Sequence, residues 1–594
     1  MRGVRGLLIE LRRRRVFRAA GLYIVASWVG VQVASLVFPA VDVTDAAIRF
    51  VWLGFLLVFP LVMVFAWRYD FSPDGIVRTL PAGEHSEIAL RLQFKDYVIL
   101  AALLGVVFVM GYQVSEQIRS FNASSPDLAK DHLDRQTIVV LPFENISGDP
   151  SQDYFVDGMH DAMISVLSGI SALKVISRTS TRNYAISGKS LLEIGQGLGA
   201  ANIIEGSVVR DNNNVRISVH LIDAASGLSI WANVYEREIS DVLRLQSELA
   251  SAIAGEVRVL MTPEESAYLA SAQEVSPQAY ESYLKGRFHW YRFGENDLAI
   301  ALDYFRSAIE IDTEYALAYV GYADALVTPA HIGLLPPSEV FPKAVELVDK
   351  ALELDPLLAE AHDFAARISF VWDHDWLAAD RGFRESIRLK ANYPDARIVY
   401  SQFLGIQERW DESLEQVRAG LRLDPFNNWF RIELGARLSW MGNYDDALNE
   451  YLAIAADQPN WFMIYRYLWE AYFYLGELDT ALASARTYYE LLGDLKLADI
   501  LSGFDGETGF TDAMLALAQE MEARGVESYV SEFELARLYA FAGDTSRTIV
   551  WLERAEDNRD SQLVYSIADP LFRLARDHSR FAELRAKMNL PSKP

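Results

Sequence analysis

Cysteine is absent from the 594 residues, which excludes disulfides, thiolate catalysis and Cys-ligated zinc or iron–sulfur centres. Histidine is scarce, at nine. The chain has no GxSxG, no HExxH, no Walker loop and no pair of carboxylates in a recognisable catalytic setting, so no reaction class is marked and no cofactor or metal is expected. Positive charge is also short. Lys and Arg number 55 against 81 Asp and Glu, a formal net charge of −26. The deficit is uneven: the chain carries +4 up to Asp96 and −30 beyond it. The acidic part is a poor fit to nucleic acid or anionic lipid, and neither is expected as its partner. Long apolar runs are missing after Val114.

Before that point there are three. Tyr97 to Val114 is an uncharged stretch flanked by Lys95 and Asp96 on one side and Glu116 and Arg119 on the other; at 1.5 Å per residue it is just long enough to cross a bilayer core. Two further runs, 19–38 and 48–67, are joined by the short segment PAVDVTDAA, which requires an antiparallel hairpin. The basic cluster Arg12 to Arg15 with Arg18 resembles the start of a signal peptide, but the run behind it is longer than an ordinary h-region and a second run follows at once. Residues 1–116 are therefore expected to be a membrane anchor of three transmembrane helices in contact with the lipid bilayer. Trp28, Trp52 and Trp67 fit interfacial positions, and the Lys/Arg-rich flanks are the N-terminus and the 68–96 loop. Those flanks are expected to be cytoplasmic, which sends everything after about residue 115 to the opposite side. In a bacterial inner membrane that side is the periplasm.

Residues 117–135 are polar and aperiodic, a linker. Then TIVVLPF reads as a buried strand and residues 152–168 as an amphipathic helix presenting Phe155, Met159, Met163, Val166 and Leu167. LKVIS gives a strand, SLLEIGQGL a helix, NIIEGSVVR, VRISVHLID and LSIWANVYE three strands, and 241–260 a closing helix. The expected order over 136–262 is βαβαβββα, a small α/β domain. Gly195, Gly197 and Gly199 imitate a phosphate-cradling loop, but they end a helix where such a loop must open one, and a helix C-cap is the better reading. Asp157, His160 and Asp161 have a spacing that permits metal ligation, though a solvated helix face accounts for them as well.

VVLPFENISGDPSQDYFVDGM, VISRTSTRNY, EIGQGLGAANIIEGSVVR and VRISVHLIDAASGLSIWANVYERE resemble the FlgO-like domain related to the N-terminal domain of TolB. RRRRVFRAAGLYIVASWVGVQVASLVFPA and FAWRYDFSPDGIVR resemble the membrane hairpin of bacterial proteins that carry it. In many of those, a winged-helix DNA-binding module or a nucleotide cyclase module precedes the hairpin. Here about fifteen residues do, so neither output activity is expected of this sequence.

From Pro277 strands give way to Ala, Leu, Tyr and Trp at helical spacing. Helix ends recur as AIEID, ALELDP, GLRLDP and AADQP, and Pro425 to Pro459 is a period of 34, that of tetratricopeptide (TPR) repeats. On this period MGNYDDAL superposes on LGELDTAL, Ala447 on Ala481 and Gly435 on Trp469. The bulky Trp469 is expected to splay its helix pair or expose its ring. The resemblance to TPR proteins covers residues 277–590, with six to eight helix pairs, irregular stretches near 328–337 and 493–528, and an end-cap in LVYSIADPLFRLARDHSRFAELRAKMNL. WDHDW (372–376) is expected to turn between two helices with Trp372 and Trp376 packing.

The expected fold class is thus multidomain: three transmembrane α-helices, a small α/β domain, and an all-α TPR superhelix. Stacked repeats make a concave groove suited to a protein or peptide partner. Trp429, Ile432, Met463, Arg466, Glu470 and Phe473 are the candidate partner-binding residues. The expected function is a membrane-anchored periplasmic protein–protein interaction scaffold, not an enzyme, with a sensor or signal-transduction component as the alternative.

Overall fold

The computed structural model describes residues 133–590 except 187–188, 212, 272–274, 293–294, 332–334 and 527–528. It also describes the strands at 69–72 and 75–78, and Tyr23 and Ser27, both helical. The chain divides into two compact units, 1–126 and 127–594. In the first, β1 (Tyr69–Ser72) and β2 (Gly75–Arg78) pair antiparallel, Tyr69 opposite Arg78. Among the described residues no helix is long and apolar enough to cross a membrane; apart from Tyr23 and Ser27, the three expected spans, 19–38, 48–67 and 97–114, lie outside them.

The second unit opens with a mixed sheet in the order β5-β3-β6-β7-β8, with β4 also on β6. β3 (Asp134–Val140) runs parallel to β5 (Lys174–Val175) and to β6 (Ala200–Asp211). β4 is the two-residue strand Glu144–Asn145. β6, β7 (Asn214–Asp223) and β8 (Leu228–Glu238) form an antiparallel meander. Strand alternation sends Val140, Ile204, Val208, Ile217 and Val219 to one face, where α1 (Asp153–Ser168) and α4 (Val242–Glu256) bury Phe155, Met163, Leu249 and Ile253 against them. Val139 and Ile203 point the other way, under Ile194 and Leu198 of α3 (Leu191–Leu198). Ser190 and Glu193 make a capping box at the start of α3, and Gly199, at φ 66°, ends it in the left-handed region. This glycine run is a C-cap.

One helix of this α/β domain, α2 (Arg178–Ile186), has no counterpart in the sequence reading. RTSTRNY carries no apolar period and weak helix formers; its first turn is fixed by contacts 244 residues downstream, described below.

After α5 (Pro263–Ala270) the chain is built of helix pairs. These are α6 and α7 (Pro277–Arg292, Glu295–Ile311), α8 and α9 (Ala316–His331, Pro337–Leu354), α10 and α11 (Ala359–Ile368, Trp376–Leu389), and α12 and α13 (Pro394–Ile406, Trp410–Leu423). Then come α14 and α15 (Asn428–Trp440, Tyr444–Asp457), and α16 and α17 (Phe462–Leu475, Leu478–Leu492). The period of 34 is visible in the backbone: Gly442 and Gly476, one repeat apart, turn between the helices of their pairs at φ 89° and 78°, a conformation costly to residues with a Cβ. Gly435 makes room for Tyr451, since a Cβ there would stand 2.4 Å from the ring. Ala447 and Ala481 are fully buried.

Beyond α16–α17 the regular pattern breaks into α18 (Leu495–Leu501) and α19 (Gly506–Arg524). It resumes in α20 and α21 (Glu532–Phe541, Thr545–Asp557), and ends in α22 (Ser561–Ser566), α23 (Arg573–Arg576) and α24 (Ser579–Lys587). Trp469 is fully buried, stacked on Phe541 of α20 at 4.8 Å between ring centroids. The expected exposure of this ring is therefore corrected: a helix from two repeats on supplies the surface that its own pair lacks. In WDHDW, a π-turn over Ser369–Asp373 precedes His374 at φ 54°; Trp372 stacks on Phe341 at 5.3 Å, and Trp376 is buried beside Phe370.

Candidate functional site: the inner face of the helical array

The first helix of each pair lines the inside of the array, and residues two, five and nine along it share a face because steps of three and four return to the same side of a helix. In α14 and α16 these positions include Trp429, Ile432, Met463, Arg466 and Glu470, with Phe473 one turn further on. Trp429 is 39% exposed and Met463 half-buried. Ile432 is fully buried and offers nothing to a partner. Arg466 pairs with Glu534 at 3.1 Å, and Glu470 with Arg537, which also binds Glu534 at 2.8 Å. Phe473 packs on Phe510 and Phe541. The inner surface at α16 is thus covered by α19 and α20 of the same chain.

Electrostatics follow from that burial. Arg537 is 3% exposed and its pKa is raised: burial opposes its charge, but Glu534 and Glu470 outweigh it. Burial pushes Glu470 up to about 7 against the pull of Arg537. Glu534 goes the other way, because Arg466 and Arg537 overcome its burial. The closing segments reach further back. Asp569 accepts from the indole of Trp440 at 3.0 Å and from the hydroxyl of Tyr474. Ser561 donates to the carbonyl of Ala330 at 3.1 Å, and Trp376 to that of Met588 at 2.9 Å. One core runs from Ala316 to Leu590.

The other end of the inner face is covered by the α/β domain. Gly158 lets α1 approach α6, where its Cβ would stand 2.6 Å from Leu284, and Tyr280 and Leu284 complete the α/β core. Asp161 pairs with Arg287 at 3.1 Å and accepts from Tyr291; Arg178 lies 4.0 Å over the Tyr291 ring. Further along, Lys390 bridges Ser165 of α1 and Glu360 of α10. Asn392 gives its amide to the carbonyl of Leu173 at 2.8 Å and lies within reach of those of Ser168 and Ile170. Ser177 donates its N–H to the carbonyl of Leu423, Ser180 donates its hydroxyl to Asp424 at 2.6 Å, and Tyr184 meets Phe426 edge-on. These contacts order α2. Nothing local in RTSTRNY announces them, and the sequence reading missed Asn392 and Asp424 for that reason.

The residues weighed as metal ligands do not converge. Asp157 faces Arg178 and Arg182, at 3.5 and 3.3 Å. His160 is fully buried and donates Nε2–H to the carbonyl of Val140 at 2.8 Å; burial holds its pKa at about 4, so the ring is neutral. His374 takes a hydrogen bond from Arg559 at 2.6 Å on Nδ1, and burial followed by that cation keeps it at about 4 too. Among the described residues no group of three or more His, Asp or Glu is placed to hold a metal ion.

Comparison with known proteins bears on the α/β domain. Residues 134–251 match the family described as HilA/YgeH-like transcriptional regulator, second domain. A Rhizobium meliloti (strain 1021) protein named "Putative adenylate cyclase 3" is 33% identical over 194 residues, 33% of each chain. The match therefore spans about a third of that relative's length. For the helical part, YrrB, described as a TPR protein with an unusual peptide-binding site, is 23% identical with a TM-score of 0.24, covering 33% of this chain and 95% of its own. Yeast Tom70 is 14% identical with a TM-score of 0.32, covering 58% and 82%. PilF of Pseudomonas aeruginosa is 18% identical with a TM-score of 0.25, covering 46% and 98%. At such scores none of the three bears on what this chain binds, and the repeat assignment rests on the helix pairs and their period.

Proposed function

We propose that this protein is a membrane-anchored, non-catalytic scaffold that presents a helical-repeat surface to a protein or peptide partner. The observation that carries the reading is the inner face of the array: it is lined by paired ions and aromatic rings, and Trp429 and Asp395 remain exposed on it, with Met463 half-buried. The absence of thiol chemistry and of a catalytic arrangement in the sequence, and the burial of His160 and His374, favour binding over reaction. Three spans at 19–38, 48–67 and 97–114, with the basic flanks inside, put residues after about 115 in the periplasm of a bacterial inner membrane. The FlgO/TolB-like resemblance of 136–262 fits that location.

A second reading is a signalling component that couples a periplasmic ligand or partner to a cytoplasmic regulator. It is favoured by the names attached to the matching family and relative, a transcriptional regulator and a cyclase, and by the bonds that join the α/β domain to the array.

Two experiments test the first reading. A photo-crosslinking side chain at Trp429 or Met463 of the full-length protein in cells is expected to capture protein, whereas one at Leu377, 77% exposed on the second helix of its pair, is not. Equal capture at all three sites would sink the inner-face reading. A reporter active only outside the cytoplasm is expected to work after Ser120 and to fail after Gly83; the reverse result removes the periplasmic assignment.

A further inference from the structure

We propose that His374, Glu556 and Arg559 form a proton-operated latch between the WDHDW turn and the closing helices, in which a proton and the Arg559 guanidinium compete for one lone pair of His374. As a control on partner access the latch rests on the interaction reading above; as a joint of the fold it does not.

The three groups meet where two turns touch. His374 ends the π-turn before α11 at φ 54°, and Arg559 follows α21 at φ 55°. Both lie in the left-handed region, which is costly for a residue with a Cβ. The side chain of one holds that of the other: Arg559 Nη1 donates to His374 Nδ1 at 2.6 Å. Glu556, in the last turn of α21, is the third member. It is 1% exposed and His374 2%. Its Oε1 lies 3.4 Å from Arg559 Nη1 and 3.7 Å from His374 Nδ1, yet neither carboxylate oxygen has a hydrogen-bond partner among the described residues. A buried carboxylate left so is a costly ion.

One added proton removes that cost. Placed on Glu556, it is donated to His374 Nδ1; placed on Nδ1, it is donated to Glu556. Either way a His374–Glu556 hydrogen bond forms across the 3.7 Å contact and the lone pair that Arg559 used is taken. The guanidinium side chain, already 35% exposed, turns to water. Burial raises the pKa of Glu556, whereas burial and then Arg559 lower that of His374 to about 4. The proton therefore enters through the carboxylate, above the pH at which a solvated glutamate takes one. The other charges facing the pair are Asp373 and Asp375 on the same turn, Asp349 of α9, and Asp557 and Lys587, which pair with each other.

Arg559 is placed to pass the change on. Its neighbour Asp560 accepts from the Ser531 hydroxyl at 2.6 Å and from the Phe533 N–H at 3.2 Å, which seats the start of α20. Glu534 and Arg537 of α20 in turn cover Arg466 and Glu470 on the inner face. Freed from His374, Arg559 leaves the left-handed region. The N–H bonds of Arg559 and Asp560 to the carbonyls of Glu556 and Ala555 open with it, and acid loosens the seat of α20.

The test is hydrogen–deuterium exchange of the full chain in detergent micelles at pH 7.5 and 5, with rates corrected for intrinsic exchange. In the parent, residues 558–562 are expected to lose protection at least tenfold between the two, while α13 changes less than twofold. Glu556→Gln, whose amide donates to Nδ1 at any pH, is expected to be as weakly protected at pH 7.5 as the parent is at pH 5. Arg559→Gln, which removes the competing cation, is expected to behave alike. Undiminished protection of 558–562 in the parent at pH 5, or either variant keeping the parental pH dependence, overturns the proposal. If Glu556→Gln also loses protection in α13, it has unfolded and Arg559→Gln decides. Failure of the exchange test while crosslinks at Trp429 persist removes the latch and leaves the scaffold. Loss of the crosslinks with the expected exchange supports the latch and removes the scaffold.

Discussion

Asn392, in the turn before α12, donates its side-chain amide to the carbonyl of Leu173, 219 residues earlier, at 2.8 Å. Its backbone N–H reaches the carbonyl of Ser168 at 3.3 Å, and it is 5% exposed. One buried residue thus satisfies the carbonyls that end α1 and joins the α/β domain to the fourth helix pair.

Replacing it therefore does more than delete one bond. Asn392→Leu keeps the backbone N–H on Ser168 but leaves the Leu173 carbonyl without its side-chain donor, which costs about 1–3 kcal/mol. In a urea titration the α/β domain and the array are expected to lose their shared transition and separate. A single transition at the parental midpoint would show that water replaces the amide.

The helix-pair contacts give a second test. Gly435→Ala sets a methyl 2.4 Å from the buried Tyr451 ring, and Ala447→Trp fills a fully buried position. Overpacking of this sort costs about 1–3 kcal/mol, more for the tryptophan. Both variants are expected to lower the melting of the array. A Gly435→Ala protein as stable as the parent would mean the helices can part without loss.

On the inner face, Phe473 and Trp429 now diverge. Phe473→Ala is expected to destabilise by up to about 3 kcal/mol through lost packing on Phe510 and Phe541. Trp429→Ala is expected to change melting little and to reduce partner capture. Arg537→Met strands Glu470 in a dry site and leaves Glu534 with Arg466 alone, and breaking a buried pair in this way costs about 3–5 kcal/mol.

Two buried groups set opposite pH slopes. Glu470 titrates near its ordinary value when unfolded and at about 7 when folded. The folded state therefore holds its proton longer, and stability falls as pH rises from about 4.5 to 7. His160 is held at about 4, so the unfolded state takes up a proton first and stability falls as pH drops from about 6.5 to 4. Glu470→Gln should flatten the first slope and His160→Gln the second, read from denaturation midpoints across pH 4–8. If neither variant changes the slope assigned to it, these burial shifts do not govern the pH response.

The repeat period, and every main element of the α/β domain except α2 and β4, were legible in the residues alone. Both are local: strand alternation in TIVVLPF, the capping box at Ser190, and small residues and turn glycines recurring at 34 leave their mark within one turn or one repeat. The C-cap at Gly199 and the turn in WDHDW were legible on the same grounds. α2 depends on distant contacts, because the acceptors that hold Ser177 and Ser180 arrive from Leu423 and Asp424. Only the tertiary structure decided the fate of Trp469, which looks misplaced until Phe541 covers it. The candidate surface was legible as a set of positions and not as an occupancy: Trp429 and Met463 keep exposed area, while Ile432, Arg466, Glu470 and Phe473 are taken up by core, ion pairs and rings from later helices. A period specifies which side chains turn inward. What meets them there depends on contacts between residues far apart in the chain, for which a single sequence carries no local signal.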